Sequence, residues 1–381
     1  MSANGTYDVI VIGVGGMGSA TVHELASRGL RVLGIERYDV PHEMGSSHGV
    51  SRIIRLAYFE HPSYVPLLRR AYERWRELEA ASGEQLLHIT GGLDIGSEDG
   101  RVFPGSLQSC EEHDLPHEVL TGAELTRRFP GLRAPEGWMG LHQPDGGFLL
   151  SERCIVNHVF AAQERGGEVR AREAVLEWES TGDRVRVETT RGAYEAGALV
   201  ITSGAWAGPV ASPLDGLLQP ERQVIAWFQP LRPELYAPEV CPVVIGEFEE
   251  GLYYALPVFG VPGVKIGRYH HLGEATTADG LDREFHEEDE ALLRLGLARY
   301  FPDANGPTLS LKVCMFTNTP DEHFIIDALP GMPNVFVAAG FSGHGFKFCS
   351  VVGEIMADLA MRGETDHDIS LFRLDRFETG G

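Results

Sequence analysis

Residues 7–36 read YDVIVIGVGGMGSATVHELASRGLRVLGIE. Tyr7 to Ile12 is an unbroken apolar run of the length of a buried strand, and it ends in Gly13-Val14-Gly15-Gly16-Met17-Gly18. Ser19 to Arg28 then reads as a helix closed by Gly29, and a second apolar run, Arg31 to Ile35, finishes on Glu36, 23 residues past Gly13. Strand, glycine-rich turn, helix, strand and acidic residue in this order make a βαβ unit that binds a dinucleotide. Gly13 permits the sharp turn, Gly15 lets backbone approach a pyrophosphate, and Gly18 lets helix pack on strand. The helix N-terminus supplies N–H donors and partial positive charge. Glu36 is placed to accept hydrogen bonds from ribose hydroxyls. A carboxylate there repels a 2′-phosphate, which disfavours NADP and leaves FAD or NAD.

Outward from this unit, the loop Pro41 to Gly49 leads into Ser51-Arg52-Ile53-Ile54-Arg55. Tyr64 to Ala80 carries Leu67, Leu68, Ala71, Trp75 and Leu78 at helical spacing, an amphipathic helix on the first domain. From about Gly91 the texture changes to short strand-like segments and loops, an excursion into a second domain, and near Ser151 the chain returns. Ala198 to Trp206 (ALVITSGAW) predicts a buried strand with a Gly-containing turn, a second place where a sheet touches cofactor. Pro220 to Lys265 alternates apolar and polar residues, as an antiparallel sheet with one exposed face does. A late strand, Asn334 to Ala339, and a helix from about Val351 to Arg362 belong with the N-terminal unit, so the cofactor domain is discontinuous. The expected fold is α/β plus α+β: a Rossmann-like domain over 1–90, 151–219 and 320–381, with an inserted substrate domain, 91–150 and 220–319, built on an antiparallel sheet.

The chain has 381 residues, more than one core usually serves, which agrees with two domains. A formal charge of −23 with no Lys/Arg run argues against nucleic acid and anionic lipid as partners. No apolar stretch approaches the ~18–20 residues of a membrane span, and the N-terminus enters a strand without a basic leader, so a cytoplasmic location is expected. Five scattered cysteines, Cys110, Cys154, Cys241, Cys314 and Cys349, fit neither a disulfide framework nor a zinc site. The histidines form no metal-ligand spacing, and no Ser/His/Asp triad can be argued. Four cations do stand in glycine-rich or apolar settings: Arg52 and Arg55 in SRIIR, Lys265 in GVKIG, and Lys347 in GHGFKF. Arg52 and Arg55 share a face if their segment is helical and point oppositely if it is extended. Each alone reads as a salt-bridged surface cation. Together they would bind a small carboxylate and favour the neutral form of an amine beside it.

These stretches resemble the monomeric sarcosine oxidase and N-methyltryptophan oxidase family of amine-oxidising flavoproteins. The matching segments run along nearly the whole chain: YDVIVIGVGGMGSA, GSSHGVSRIIRLAY, YVPL, LSERCI, GLYYALP, GVKIG, KVCMFTNTPDEHFIID and VAAGFSGHGFKFCS. The resemblance implies FAD attached through sulfur at Cys314, which read alone would be a small buried hydrophobe. It implies Ser46, His48, Gly343 and Gly345 as further cofactor neighbours, Arg52 close to the flavin ring, and Arg55 and Lys347 as partners of the substrate carboxylate. Lys265 is similar to the family lysine that activates oxygen, and Tyr254 to a pocket tyrosine. Two neighbours depart from the pattern. Phe316 stands where the family has a second pocket tyrosine, and after Gly267 the sequence Arg268-Tyr269-His270-His271 is one residue longer, so the pocket histidine is His270 or its place is taken by Tyr269. The implied reaction oxidises an N-methyl amino acid, sarcosine first, with O2 to formaldehyde, the primary amino acid and hydrogen peroxide. N-methyltryptophan, pipecolate or proline are alternative substrates, an NAD-dependent dehydrogenase is the rival enzyme, and a monomer is expected.

Overall fold

The computed structural model describes residues 5–377, so the outermost residues of the expected cofactor domain, 1–4 and 378–381, lie outside the described residues. The first apolar run forms the strand Thr6–Ile12, buried from Val9 onward. A strand buried on both faces belongs inside a parallel sheet. Gly192–Ile201 pairs with it in parallel on one side and Val32–Ile35 on the other. Met332–Ala339 and Glu168–Arg170 extend the sheet in parallel at its two ends, and Ile325–Leu329 adds an antiparallel edge. The early half of Gly192–Ile201 also pairs with the hairpin Val175–Ser180 and Val185–Thr189. The helices Gly16–Ser27, Ser151–Glu164 and Cys349–Arg362 pack together over one face.

A second sheet of eight strands runs in the order Thr308–Asn318, Gln219–Phe228, Val264–Arg268, Gly251–Leu256, Val243–Phe248, Gly92–Gly96, Met139–Gln143 and Glu118–Thr121. All its pairs are antiparallel except Val243–Phe248 with Gly92–Gly96. A small third sheet joins Ser51–Ile54, Gly147–Leu150 and Leu87–Ile89. Each large sheet has its own apolar core, the first on both faces.

The helix Tyr64–Ser82 buries Tyr64, Leu67, Leu68, Ala71, Trp75 and Leu78, the stripe its spacing predicts. Each large apolar side chain buried this way stabilises by about 1.5–3 kcal/mol. The segment after Gly91 departs from expectation. It is not only strands and loops, since it holds the helices Val102–Glu112 and Gly122–Arg128. Pro104 and Gly105 mask the first in the sequence, yet a proline in the first helical turn sacrifices no hydrogen bond. Among the described residues no helix is long and apolar enough to cross a membrane.

Candidate active site

A cleft opens at the glycine-rich turn and runs between the two large sheets. Gly13 turns at φ +91°, and a Cβ there would lie 2.7 Å from Thr202 O. A Cβ on Gly18 would lie 1.8 Å from Gly13 O, so only glycine lets the helix approach the strand this closely. On Gly15 a Cβ would meet nothing within 4 Å, because this residue faces open cleft. Glu36 lines the same end and accepts from the N–H groups of Val14 and Tyr38, both at 2.9 Å. Burial pushes its carboxyl up, but His42 and these two N–H donors outweigh that and hold it below the usual carboxylate range.

Cys314 faces the cleft from the second sheet, where its strand pairs it with Gln223. Burial raises the thiol pKa, while the charges of Arg52, Lys265 and Arg283 pull it back. Ser46 donates to Met315 O at 2.6 Å and so fastens the loop before Arg52 to this strand. Arg52 in turn donates to Ser46 O and Ser51 O, at 2.8 and 2.9 Å. Lys265 is buried on Val264–Arg268; its Nζ donates to Gly49 O at 2.9 Å and to Ser51 O. Burial, then the charge of Arg52, push this ammonium well below its ordinary pKa.

Ser51–Ile54 is a strand, so Arg52 is extended, while Arg55 lies just beyond the strand; both line the cleft. Arg55 is buried with two acids that sequence reading did not single out. It donates to Glu60 at 2.7 Å and lies 3.8 Å from Asp94. Its Nε has no hydrogen-bond partner among the described residues. Asp94, taking a hydrogen bond from Ser106 at 2.6 Å, is pushed up to about 6 by burial, against the charge of Arg55. Lys347 donates to His344 O at 2.6 Å and sits 5.2 Å from the centre of the Tyr58 ring. Its pKa falls to about 7 through burial and the charge of Arg55. Trp75 fixes the backbone here by donating to Lys347 O at 2.9 Å.

Tyr254, Tyr269 and Phe316 line the cleft near these cations, with the Tyr269 and Phe316 rings 5.0 Å apart. Tyr269 donates to Ser342 O, and Gly343 and Gly345 border the same space. His270 does not line the cleft. It bonds Glu221 and Glu322, whereas Tyr269 lines the cleft. His48 does not line it either: it is buried and neither ring nitrogen has a hydrogen-bond partner among the described residues. Gly18 acts from behind the turn.

A profile described as FAD dependent oxidoreductase matches residues 8–359. The chain belongs to the FAD dependent oxidoreductase family. Within this family it is 44% identical over 374 residues to a protein named monomeric sarcosine oxidase from Streptomyces avermitilis, covering 96% of this chain and 97% of that one. It is 35% identical over 374 residues to an N-methyl-L-tryptophan oxidase from Salmonella dublin, covering 97% and 99%. A solved structure of NikD, an unusual amino acid oxidase essential for nikkomycin biosynthesis, superposes with a TM-score of 0.84 at 26% identity, covering 97% of this chain and 98% of that one.

The cleft fits FAD by its own chemistry. The space over Gly15 is the cradle that a Cβ would fill, next to the free N–H groups that open the helix Gly16–Ser27. Ser203 Oγ, on the turn after Gly192–Ile201, is buried there without a partner among the described residues. These groups would hold the pyrophosphate end, and Glu36 the ribose. Of the site residues missed in the sequence, Asp94 had a signal, a carboxylate in the apolar stretch Gly92-Leu93-Asp94-Ile95. Glu60, a lone acid in a loop, had none.

Proposed function

We propose that the protein oxidises a small secondary N-methyl amino acid of the sarcosine type. The substrate, O2 and water give the primary amino acid, formaldehyde and hydrogen peroxide. Bound FAD supplies the chemistry, taking two electrons from the N-methyl carbon and returning them to O2. The observation that carries this reading is the cleft itself, which joins a dinucleotide turn at one end to Cys314, Lys265, Arg55 and Lys347 at the other. Arg55 and Lys347 would grip the carboxylate, and burial beside the guanidinium groups of Arg52 and Arg55 would favour the neutral amine, the form that can be oxidised. Arg52 and Tyr254 would border the reacting carbon, and Lys265 would assist the return of electrons to O2.

We further infer that Cys314 carries FAD through a thioether. One S–H and one methyl C–H are replaced by an S–C bond, and two electrons and two protons leave to O2 as hydrogen peroxide. Burial raises the Cys314 thiol, and the charge of Arg52 beside it, which opposes that rise, supports this. The division into a cofactor part, 1–90, 151–219 and 320–381, and a substrate part, 91–150 and 220–319, belongs to the same proposal, as does a cytoplasmic monomer. The name of the Streptomyces relative supports the monomer.

The aromatic pair Tyr269 and Phe316 favours a second reading of specificity, a bulkier N-methyl or cyclic amine such as N-methyltryptophan, pipecolate or proline. Anaerobic bleaching of the flavin absorbance by sarcosine, with one formaldehyde formed per O2 consumed, tests the first reading. Bleaching by a bulkier or cyclic amine alone would select the second, and no bleaching by any secondary amine would overturn both. For the thioether, yellow colour must stay with acid-denatured polypeptide and map to the Cys314 peptide; release of all colour would refute it.

A further inference from the structure

In the segment after strand Val264–Arg268 the backbone is strained. His270 and His271 take φ +59° and +24°, a left-handed region that non-glycine residues occupy only when their surroundings hold them. Both side chains are anchored. His271 donates to Asp289 at 2.9 Å, and Asp289 is itself paired to Arg222. His270 sits between two carboxylates, 3.0 Å from Glu221 and 3.0 Å from Glu322. Glu221 comes from strand Gln219–Phe228 and Glu322 from the segment after Thr308–Asn318, so one imidazole ties three parts of the chain. One residue earlier, Tyr269 turns into the cleft, meeting His270 edge to face at 4.5 Å and Phe316 at 5.0 Å.

We propose that His270 is a positioning residue, whose clamp between Glu221 and Glu322 holds the left-handed turn and keeps Tyr269 against Phe316 as a fixed wall of the amine pocket. The kinetic half of this inference rests on the amine-oxidase reading; the structural half does not.

The groups facing His270 agree with this. Glu221 is held by Asn318 and Gln223, at 2.9 and 2.6 Å, and Glu322 by Arg101 at the start of helix Val102–Glu112, at 3.0 Å. The hydrogen bonds to Glu221 and Glu322 raise His270 to about 9, so at neutral pH it is an imidazolium donating both N–H groups. Above about pH 9 it loses one proton and with it one of the two bonds. A neutral imidazole has a single N–H to donate.

The test compares the flavin-loaded wild type with His270→Gln and with His270→Gly, the latter keeping the backbone conformation while removing the clamp. Hydrogen-exchange protection of residues 269–273 is expected to drop about tenfold or more in both variants at pH 7, and in the wild type only above about pH 9. KM for sarcosine, or for whichever amine bleaches the flavin, is expected to rise about tenfold with kcat nearly constant. Unchanged protection in His270→Gly overturns the clamp. Lost protection with unchanged KM overturns the wall. Failure of the wild type to oxidise any amine would strike the proposed function while leaving the exchange result decisive for the clamp.

Discussion

Lys347 and Lys265 are both buried ammonium groups, and burial acts on them in the same direction with different consequences. Lys347 comes down to about 7, so its charge is present below that pH and lost above it. For a simple carboxylate without an amine, such as propionate, the dissociation constant should rise by up to about tenfold per pH unit above 7. In Lys347→Met binding should be weaker throughout and flat across this range; a titration of the flavin spectrum with the carboxylate would show either slope. Lys265, pressed well below its ordinary pKa by burial and held by two backbone carbonyls, would take up a proton when negative charge arrives beside it. Lys265→Met should slow reoxidation by O2 by about 10²-fold while leaving reduction by the amine nearly unchanged, as stopped-flow traces of the two half-reactions would reveal. The cations were legible because a charge inside a glycine-rich or apolar stretch is out of place. Glu60 was not, because it stands among ordinary loop residues and acquires its meaning only when folding lays it on Arg55.

Among the elements, the opening βαβ unit was readable almost to the residue, since apolar run, glycines and acid are each required locally. Its glycines separate two demands. Gly18→Ala collides with backbone and should lower the melting temperature of the flavin-free protein. Gly15→Ala collides with nothing in the protein and should leave that temperature unchanged while weakening FAD binding, in a Cys314→Ser background where flavin can be removed. The same logic applies to the pairing of Arg222 with Asp289, which fastens helix Glu287–Tyr300 to strand Gln219–Phe228 through two bonds of 2.7 Å. With both side chains buried, Asp289→Asn leaves the guanidinium only the half-exposed Glu274, at 3.3 Å, as a charged partner and should cost about 3 kcal/mol in chemical denaturation. The helices Val102–Glu112 and Gly122–Arg128 escaped the sequence because one opens around a proline and a glycine and the other spans 7 residues, too short to show a period.

On the scale of the whole molecule, the alternation of strand types revealed two kinds of sheet, but not who pairs with whom. The parallel contact of Gly92–Gly96 with Val243–Phe248 joins segments about 150 residues apart and leaves no local trace. The formal charge of −23 has a consequence of its own. A zwitterionic amino acid should bind at a rate indifferent to salt, whereas an anionic carboxylate should associate faster as salt screens the surface; stopped-flow binding between 10 and 300 mM salt, about a fivefold change in screening length, would separate them. The strand that bears Cys314 stands on the opposite sheet from the turn at Gly13, 301 residues away in the chain. A thioether there would make the cofactor a tethered ligand. In an unfolded chain that tether confines the nucleotide to an effective concentration on the order of 0.1–1 mM around its own cradle. Recapture during refolding would then be a first-order event, indifferent to dilution and to how much free FAD surrounds the protein.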